Sequence, residues 1–259
     1  MSSGHRARKR FGQHFLRDPG IIEEIVTAIY AAPDETLVEI GPGQGAITTP
    51  LLRSGAELHA IELDRDLASG LVSRYADAQN FRLHSTDALR FDFAGLGDDL
   101  RIIGNLPYNI STPLIFHLLD SLPVIRDMHF MLQKEVVDRM AAEPGSKRYG
   151  RLTIMLGCYC SVEPLFDVPP DAFTPPPKVW SAVVRITPRR PSTFDIDDAD
   201  LLSQLVAQGF SQRRKTLRNA LRDLASEADL TAAAIDPGAR AETVGIAEWV
   251  DLSNHMSSR

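Results

Sequence analysis

Thr36-Leu37-Val38-Glu39-Ile40-Gly41-Pro42-Gly43-Gln44-Gly45 decides the fold. A short β-prone run enters a bend with three glycines, and a helical pattern opens behind it. A strand turning sharply into a helix is the first unit of a doubly wound, Rossmann-like α/β sheet. Glycines at its carboxyl end let backbone approach a ligand. Glu57 to Leu63, Phe81 to Ser85, Leu100 to Gly104 and Arg126 to Leu132 also read as strands. Gly45 to Arg53, Asp64 to Tyr75, Thr112 to Leu119 and Lys134 to Ala141 read as the helices between them. Such alternation predicts a parallel sheet with helices on both faces.

Working outward, residues 19–31 read as a helix, with Asp18 as its cap and Pro19 in its first turn. Cys158 to Leu165 and Val179 to Ile186 read as late strands, an antiparallel addition at the sheet edge. Between them, Val168 to Lys178 carries five prolines and reads as an ordered loop, neither helix nor strand. Pro188 to Ser192 reads as a linker, and the pattern from Asp198 onward is helical. The expected division is a catalytic α/β domain with its N-terminal arm over 1–188 and a small all-helical domain over 189–259.

The 259 residues suffice for such a core without disulfides. Cys158 and Cys160 are too close in sequence to bridge each other readily and lack partners for a zinc site, so they read as buried thiols. His117 and His129 lie in apolar stretches and read as core or edge residues; no metal is expected. No apolar run approaches the ~20 residues that span a bilayer, and the basic N-terminus has no apolar signal core behind it. A cytoplasmic protein is expected. The net charge of -6 speaks against nucleic acid, but the cations are clustered. Arg6 to Arg10, with Arg8, Lys9 and Arg10, form one group, Lys147, Arg148 and Arg151 a second, and Arg213, Arg214, Lys215, Arg218 and Arg222 a third. Arg214, Arg218 and Arg222 recur every four residues, as on one face of a helix, so a phosphate-binding surface is expected there.

Two acids extend the glycine bend into a nucleoside site. Glu62 ends the second strand, where a carboxylate can accept from both ribose hydroxyls. Asp87 follows the third strand, where it can accept from an adenine amine. Gly41, Gly43 and Ala46 also fit the dinucleotide fingerprint, so these residues leave open whether the ligand is a nicotinamide cofactor or a methyl donor.

Gly104-Asn105-Leu106-Pro107-Tyr108 bears on the chemistry. An amine conjugated to a heteroaromatic ring is a poor nucleophile, because its lone pair is delocalised. The Asn105 side-chain carbonyl can accept one amine hydrogen, and a backbone carbonyl beside Pro107, that of Leu106, can accept the other. Holding both favours a pyramidal nitrogen and aims its lone pair at a methyl donor, which is catalysis by orientation and electrostatics. Pro107 stiffens the turn and Tyr108 offers a ring for base stacking.

With these motifs in hand, the chain resembles the bacterial ribosomal RNA small-subunit adenine dimethyltransferases, relatives of eukaryotic rRNA dimethyltransferases and antibiotic-resistance rRNA methylases. The resemblance runs from Arg8 to about Val250. It rests on Lys9-Arg10-Phe11-Gly12-Gln13-His14-Phe15-Leu16, on Glu39 to Gly45 and on Asn105 to Thr112. Tyr149-Gly150-Arg151-Leu152, Phe173 to Val184 and Phe210 to Leu217 complete it. It implies a class I methyltransferase domain with a helical C-terminal domain, and S-adenosylmethionine held by His14, Leu16, Gly41, Glu62, Asp87 and Asn105. His14 departs from the Asn of well-known members. The family pattern sets Phe173 opposite Tyr108 as a two-ring clamp on the target base. The implied substrate is a pair of adjacent adenosines in a hairpin loop near the 3′ end of small-subunit rRNA, each methylated twice on an immature subunit by a monomeric enzyme. A DNA adenine methyltransferase would share the Asn-Leu-Pro-Tyr chemistry but leaves the basic stretch unexplained. A nicotinamide oxidoreductase leaves Asn105 to Tyr108 unexplained. An RNA-binding assembly factor without catalysis leaves both motifs without a task.

Overall fold

The computed structural model describes residues 13–107 and 110–259. Arg8, Lys9, Arg10 and Tyr108 lie outside the described residues.

Compactness divides the chain into two units, residues 1–137 with 163–188, and 138–162 with 189–259. The first is built on a seven-stranded sheet in the order β4-β3-β2-β5-β6-β9-β7. Its strands are β2 (Thr36–Ile40), β3 (Glu57–Ile61), β4 (Phe81–His84), β5 (Leu100–Asn105), β6 (Ile125–Gln133), β7 (Cys160–Val168) and β9 (Ser181–Pro188). The pairs β2–β3, β3–β4, β2–β5 and β5–β6 are parallel, and β9 runs antiparallel to β6. Chain order reverses between β2 and β5, so a crevice opens at the carboxyl ends of those two strands. Gly104 makes that meeting possible. A Cβ there would stand 2.7 Å from the Ile40 carbonyl oxygen, so a side chain would push β2 and β5 apart.

The helices are α1 (Pro19–Ile29), α2 (Thr48–Leu52), α3 (Arg65–Arg74), α4 (Ser111–Leu119) and α5 (Lys134–Met140). Asp18 caps α1 by accepting from the Ile21 N–H at 3.0 Å. The helix ends where Tyr30 adopts a left-handed φ of 50°. Its last carbonyls meet a buried cation, because Arg101 of β5 donates to the Ile29 oxygen at 2.7 Å. The same guanidinium pairs with Glu35 at 2.7 Å and with Asp127 of β6 at 3.0 Å. His129 of β6 is 3 % exposed and its Nε2 accepts from Arg185 at 3.0 Å, a buried sheet residue as expected.

Several features depart from the sequence expectation. The proline-rich stretch read as pure loop contains a strand, β8 (Phe173–Thr174), which pairs antiparallel with β1 (Phe15–Leu16). The Arg17 and Asp18 N–H groups add bonds to the Ala172 oxygen. Cys158, read as the start of a strand, ends a helix, α6 (Arg151–Tyr159). Six of that helix's nine residues are buried, so no polar face marks its period. Both thiols are buried, which pushes each up to about 12 and leaves them inert at neutral pH.

The second unit contains α6 with α7 (Ala199–Ser211), α8 (Leu217–Ala220), α9 (Glu227–Ala232) and α10 (Ile246–Ser257). The sequence expectation placed 138–162 with the sheet, but the apolar surface of α6 is covered by α7 and α10. Trp249 is completely buried at this centre, beside Phe210, whose ring centre lies 6.1 Å away. The expected helix through Arg214, Arg218 and Arg222 is interrupted: α7 stops at Ser211, α8 spans four residues, and turns flank it.

Candidate active site

One cavity at the carboxyl ends of β2, β3 and β5 is lined by His14, Leu16, Gly41, Gly43, Glu62, Asp87, Asn105, Leu106 and Pro107. Residues 14 to 107 thus meet in one place, drawn from β1, two strand ends and the loops behind β2 and β4. The glycine bend forms one wall. Gly41, Gly43 and Gly45 have φ of 68°, 58° and 79°, values that burden any side chain with strain. A Cβ on Gly43 would press at 3.3 Å on the Phe15 ring, because the β1–β8 ladder lays residues 13–16 across the bend.

The acids are oriented by backbone. Glu62 is 7 % exposed, and its two oxygens accept from the Gly43 N–H at 3.2 Å and the Asp64 N–H at 2.9 Å. Burial raises its carboxyl above the ordinary range, opposed by those same N–H bonds. Beneath it, Glu39 is buried and accepts from the Thr48 hydroxyl at 2.6 Å. Burial lifts Glu39 to about 7, with the Thr48 bond opposing and Glu62 reinforcing. Asp87 spends Oδ1 on the Leu89 N–H at 3.0 Å, a cap that turns the carboxylate along the cavity wall.

Asn105 ends β5. Its Nδ2 donates to the His14 backbone oxygen at 3.1 Å. That bond fixes which way the amide faces. Oδ1 has no hydrogen-bond partner among the described residues and is left as an acceptor. The next residue is held too, since the Leu106 N–H donates to the Met131 oxygen at 3.2 Å. The Pro107 carbonyl accepts from Ile110 at 3.1 Å, which leads the turn into α4.

These residues fit a nucleoside cofactor bearing a methionine-like tail. A strand-end carboxylate could accept from ribose hydroxyls, an acid lies one strand further, and the bend admits close approach. Residues not singled out from sequence complete the wall. Leu63 is 51 % exposed yet lines the cavity with Ala88, an apolar surface suited to a flat ring. Gln13 reaches Asp64 at 3.3 Å, and Asp64 caps α3 through the Asp66 N–H at 3.0 Å. The signal for Leu63 was present in the sequence: an apolar residue one step past a strand-end acid. His14 makes a contact the sequence did not suggest, Nδ1 to the Pro175 oxygen at 2.7 Å. The Pro175 carbonyl can only accept, so the Nδ1 of His14 carries the proton in that bond. Among the described residues no group of three metal-ligating side chains occurs.

Phe173 is not part of this wall. Its side chain is 3 % exposed and packs in the apolar core with Leu16, Ile25 and Val183. Tyr108, the other ring of the clamp expected from the family pattern, lies outside the described residues. On the Phe173 side, register sets the packing: Phe173 stands opposite Leu16 in the β1–β8 ladder, and both side chains enter the same core. Phe173→Ala is expected to lower unfolding free energy by about 3–5 kcal/mol, read as a fall in thermal midpoint. Lost methylation at an unchanged midpoint would return Phe173 to the clamp.

The basic cluster also separates. Arg213 donates to the Lys147 and Tyr149 carbonyls at 2.9 and 3.0 Å, so it pins a loop. Arg222 pairs with Asp223 at 3.5 Å on an exposed surface. Arg214, Lys215 and Arg218 are exposed and have no side-chain partner among the described residues.

The family described as Ribosomal RNA adenine dimethylase matches residues 4–258. Ribosomal RNA small subunit methyltransferase A of Nitrosococcus oceani is 56 % identical over 97 % of this chain and 97 % of its own. The protein of that name in Pseudomonas aeruginosa is 56 % identical over 98 % of this chain and 96 % of its own. A dimethyladenosine transferase from Plasmodium falciparum superposes with a TM-score of 0.80 at 27 % identity, covering 95 % of this chain and 98 % of its own. The 23S rRNA methyltransferase ErmE shares the fold, with a TM-score of 0.74 at 24 % identity over 94 % of this chain and 99 % of its own.

Proposed function

Since this chain belongs to the ribosomal RNA adenine dimethylase family, we propose that it dimethylates two adjacent adenosines in a hairpin loop near the 3′ end of small-subunit rRNA, with S-adenosylmethionine as donor. The observation that carries this reading is the fixed amide of Asn105, whose nitrogen is tied to the His14 carbonyl and whose oxygen stays an acceptor. The cofactor supplies an electrophilic methyl on a sulfonium. Everything else falls to the chain. Glu62 takes the ribose hydroxyls, Asp87 takes the adenine amine, and Gly41 and Gly43 give room for the methionyl portion beside Leu16 and His14. Asn105 Oδ1 and the Leu106 carbonyl each accept one hydrogen of the target amine, which holds the nitrogen pyramidal and in line. Pro107 keeps that carbonyl in place, and Tyr108 is assigned the stacking face. The same pair of acceptors can serve the first methylation and, after rotation of the N-methyl group, one acceptor still serves the second.

Arg214, Lys215 and Arg218 are the phosphate-contacting residues in this reading, with Arg8, Lys9 and Arg10 of the N-terminal arm. The substrate is an immature small subunit, met by a free monomer in the cytoplasm. No described helix is long and apolar enough to cross a membrane. Replacing Arg214, Lys215 and Arg218 by glutamine is expected to flatten the salt dependence of RNA binding by about 2 in log–log slope, at ~0.7 per phosphate. An unchanged slope removes them from the interface. The function as a whole is tested by mass spectrometry of small-subunit rRNA after incubation of immature subunits with purified protein and donor. Two adjacent dimethyladenosines are expected; unmodified adenines at full donor supply would refute the reading.

A further inference from the structure

The geometry points to Trp180 as a second stacking platform, for an unpaired base that flanks the target adenine. This rests on the function proposed above. Five large apolar side chains are exposed among the described residues, and Val179 and Trp180 are the only adjacent two, at 45 % and 52 %. A half-exposed indole is costly to leave in water and is suited to a flat partner with a polar edge. Its mount is stiff. Pro175, Pro176 and Pro177 precede it, and the Pro175 carbonyl accepts from His14, which lines the cofactor cavity. At the other end, the Trp180 carbonyl accepts from the Lys134 N–H at 2.9 Å. The segment therefore runs from the cavity rim to the start of β9 with both ends fastened.

Register gives the distance. Asn105 is opposite Met131 in β6, and Gln133, two residues on, is opposite Ser181 in β9. Trp180 thus lies on the same rim as Asn105, two strands across and about three residues beyond, or about 10–15 Å away. That is roughly three to four stacked nucleotides at about 3.4 Å each. Lys178, exposed and without a side-chain partner among the described residues, supplies a cation for the phosphate between them. An aromatic ring beside a free cation on a fixed loop matches the chemistry of a single-stranded nucleic acid: a base to stack and a phosphate to neutralise. A second protein would want a wider apolar area than two residues provide.

The chain has two tryptophans, and Trp249 is completely buried. Solvent-exposed indole emission therefore reports Trp180. Adding immature subunits is expected to quench that emission, and Trp180→Phe, in which a phenyl ring still stacks, is expected to restore most of the subunit affinity that Trp180→Ala loses. Trp180→Ala is expected to raise KM for subunits about 5- to 100-fold, with kcat and cofactor-induced thermal stabilisation unchanged. Unaltered emission on binding, or a KM within twofold of the parent for Trp180→Ala, overturns the inference. A parent enzyme that fails to methylate the particles at all would instead refute the proposed function. The emission arm needs no variant, so a poorly folding substitution leaves the inference testable.

Discussion

Asn105→Ala is expected to lower kcat for methyl transfer by about 10²–10³, the size of effect seen when one group that stabilises developing charge is removed. The loss falls on kcat because the amine hydrogens are held most strongly as the nitrogen turns pyramidal, which happens in the transition state. Subunit affinity is expected to change little. Cofactor affinity should fall modestly, since the lost Nδ2 donation to the His14 oxygen loosens the strand over the glycine bend. Single-turnover rates with saturating donor, beside thermal shifts with S-adenosylhomocysteine, separate the two effects. A rate within tenfold of the parent would mean that Oδ1 does not hold the amine.

The second large effect lies at the other end of the same strand. Arg101→Met is expected to cost about 3–5 kcal/mol of stability, because it leaves Glu35 and Asp127 without their shared buried cation. Its dependence on pH distinguishes it from a packing defect. Burial raises Asp127, but the nearby His129 ring, 3.4 Å away, and the hydrogen bonds from Arg101 outweigh it and hold the carboxyl below its ordinary range. Burial raises Glu35 likewise, against the Ala32 N–H and Arg101, and the net direction is again downward. A carboxylate lowered by folding adds stability above its unfolded pKa of about 4, and that stability is lost as pH falls through the folded value. In Arg101→Met the cation's contribution to that lowering disappears. The gap between parent and variant should therefore be widest near pH 7 and should narrow as pH drops below about 4. A gap that stays constant from pH 7 to pH 3 in denaturant titrations would reject the charge network as the cause.

The parallel core was legible because each of its strands is a short apolar run between helical stretches, and β2 through β6 lie where those runs do. Comparison with known proteins bears out the Rossmann-like class and the rRNA adenine dimethylase assignment. Of the residues expected at the site, those carried on strand ends and the glycine bend line one cavity, because position along a parallel strand fixes position in the crevice. What escaped notice had no local signal. The β1–β8 ladder is two residues long on each side and joins segments far apart in sequence, so no alternation announces it. Helix α6 has no polar face to give its period away. The role of Arg101 depends on where α1 happens to end, and that of Phe173 on which side of a two-residue ladder it faces. The four-residue spacing of Arg214, Arg218 and Arg222 suggested one continuous helix, but Thr216 is in extended conformation and breaks it.

The bond between His14 and Pro175 closes a separation of 161 residues. A ribosome adding ~5–20 residues per second needs roughly 10 to 30 s to make what lies between. For that interval the nascent β1 has been made and β8 has not, so the wall that covers the glycine bend lacks one of its two halves. The seat proposed for the donor is therefore among the last parts of the first unit to be finished.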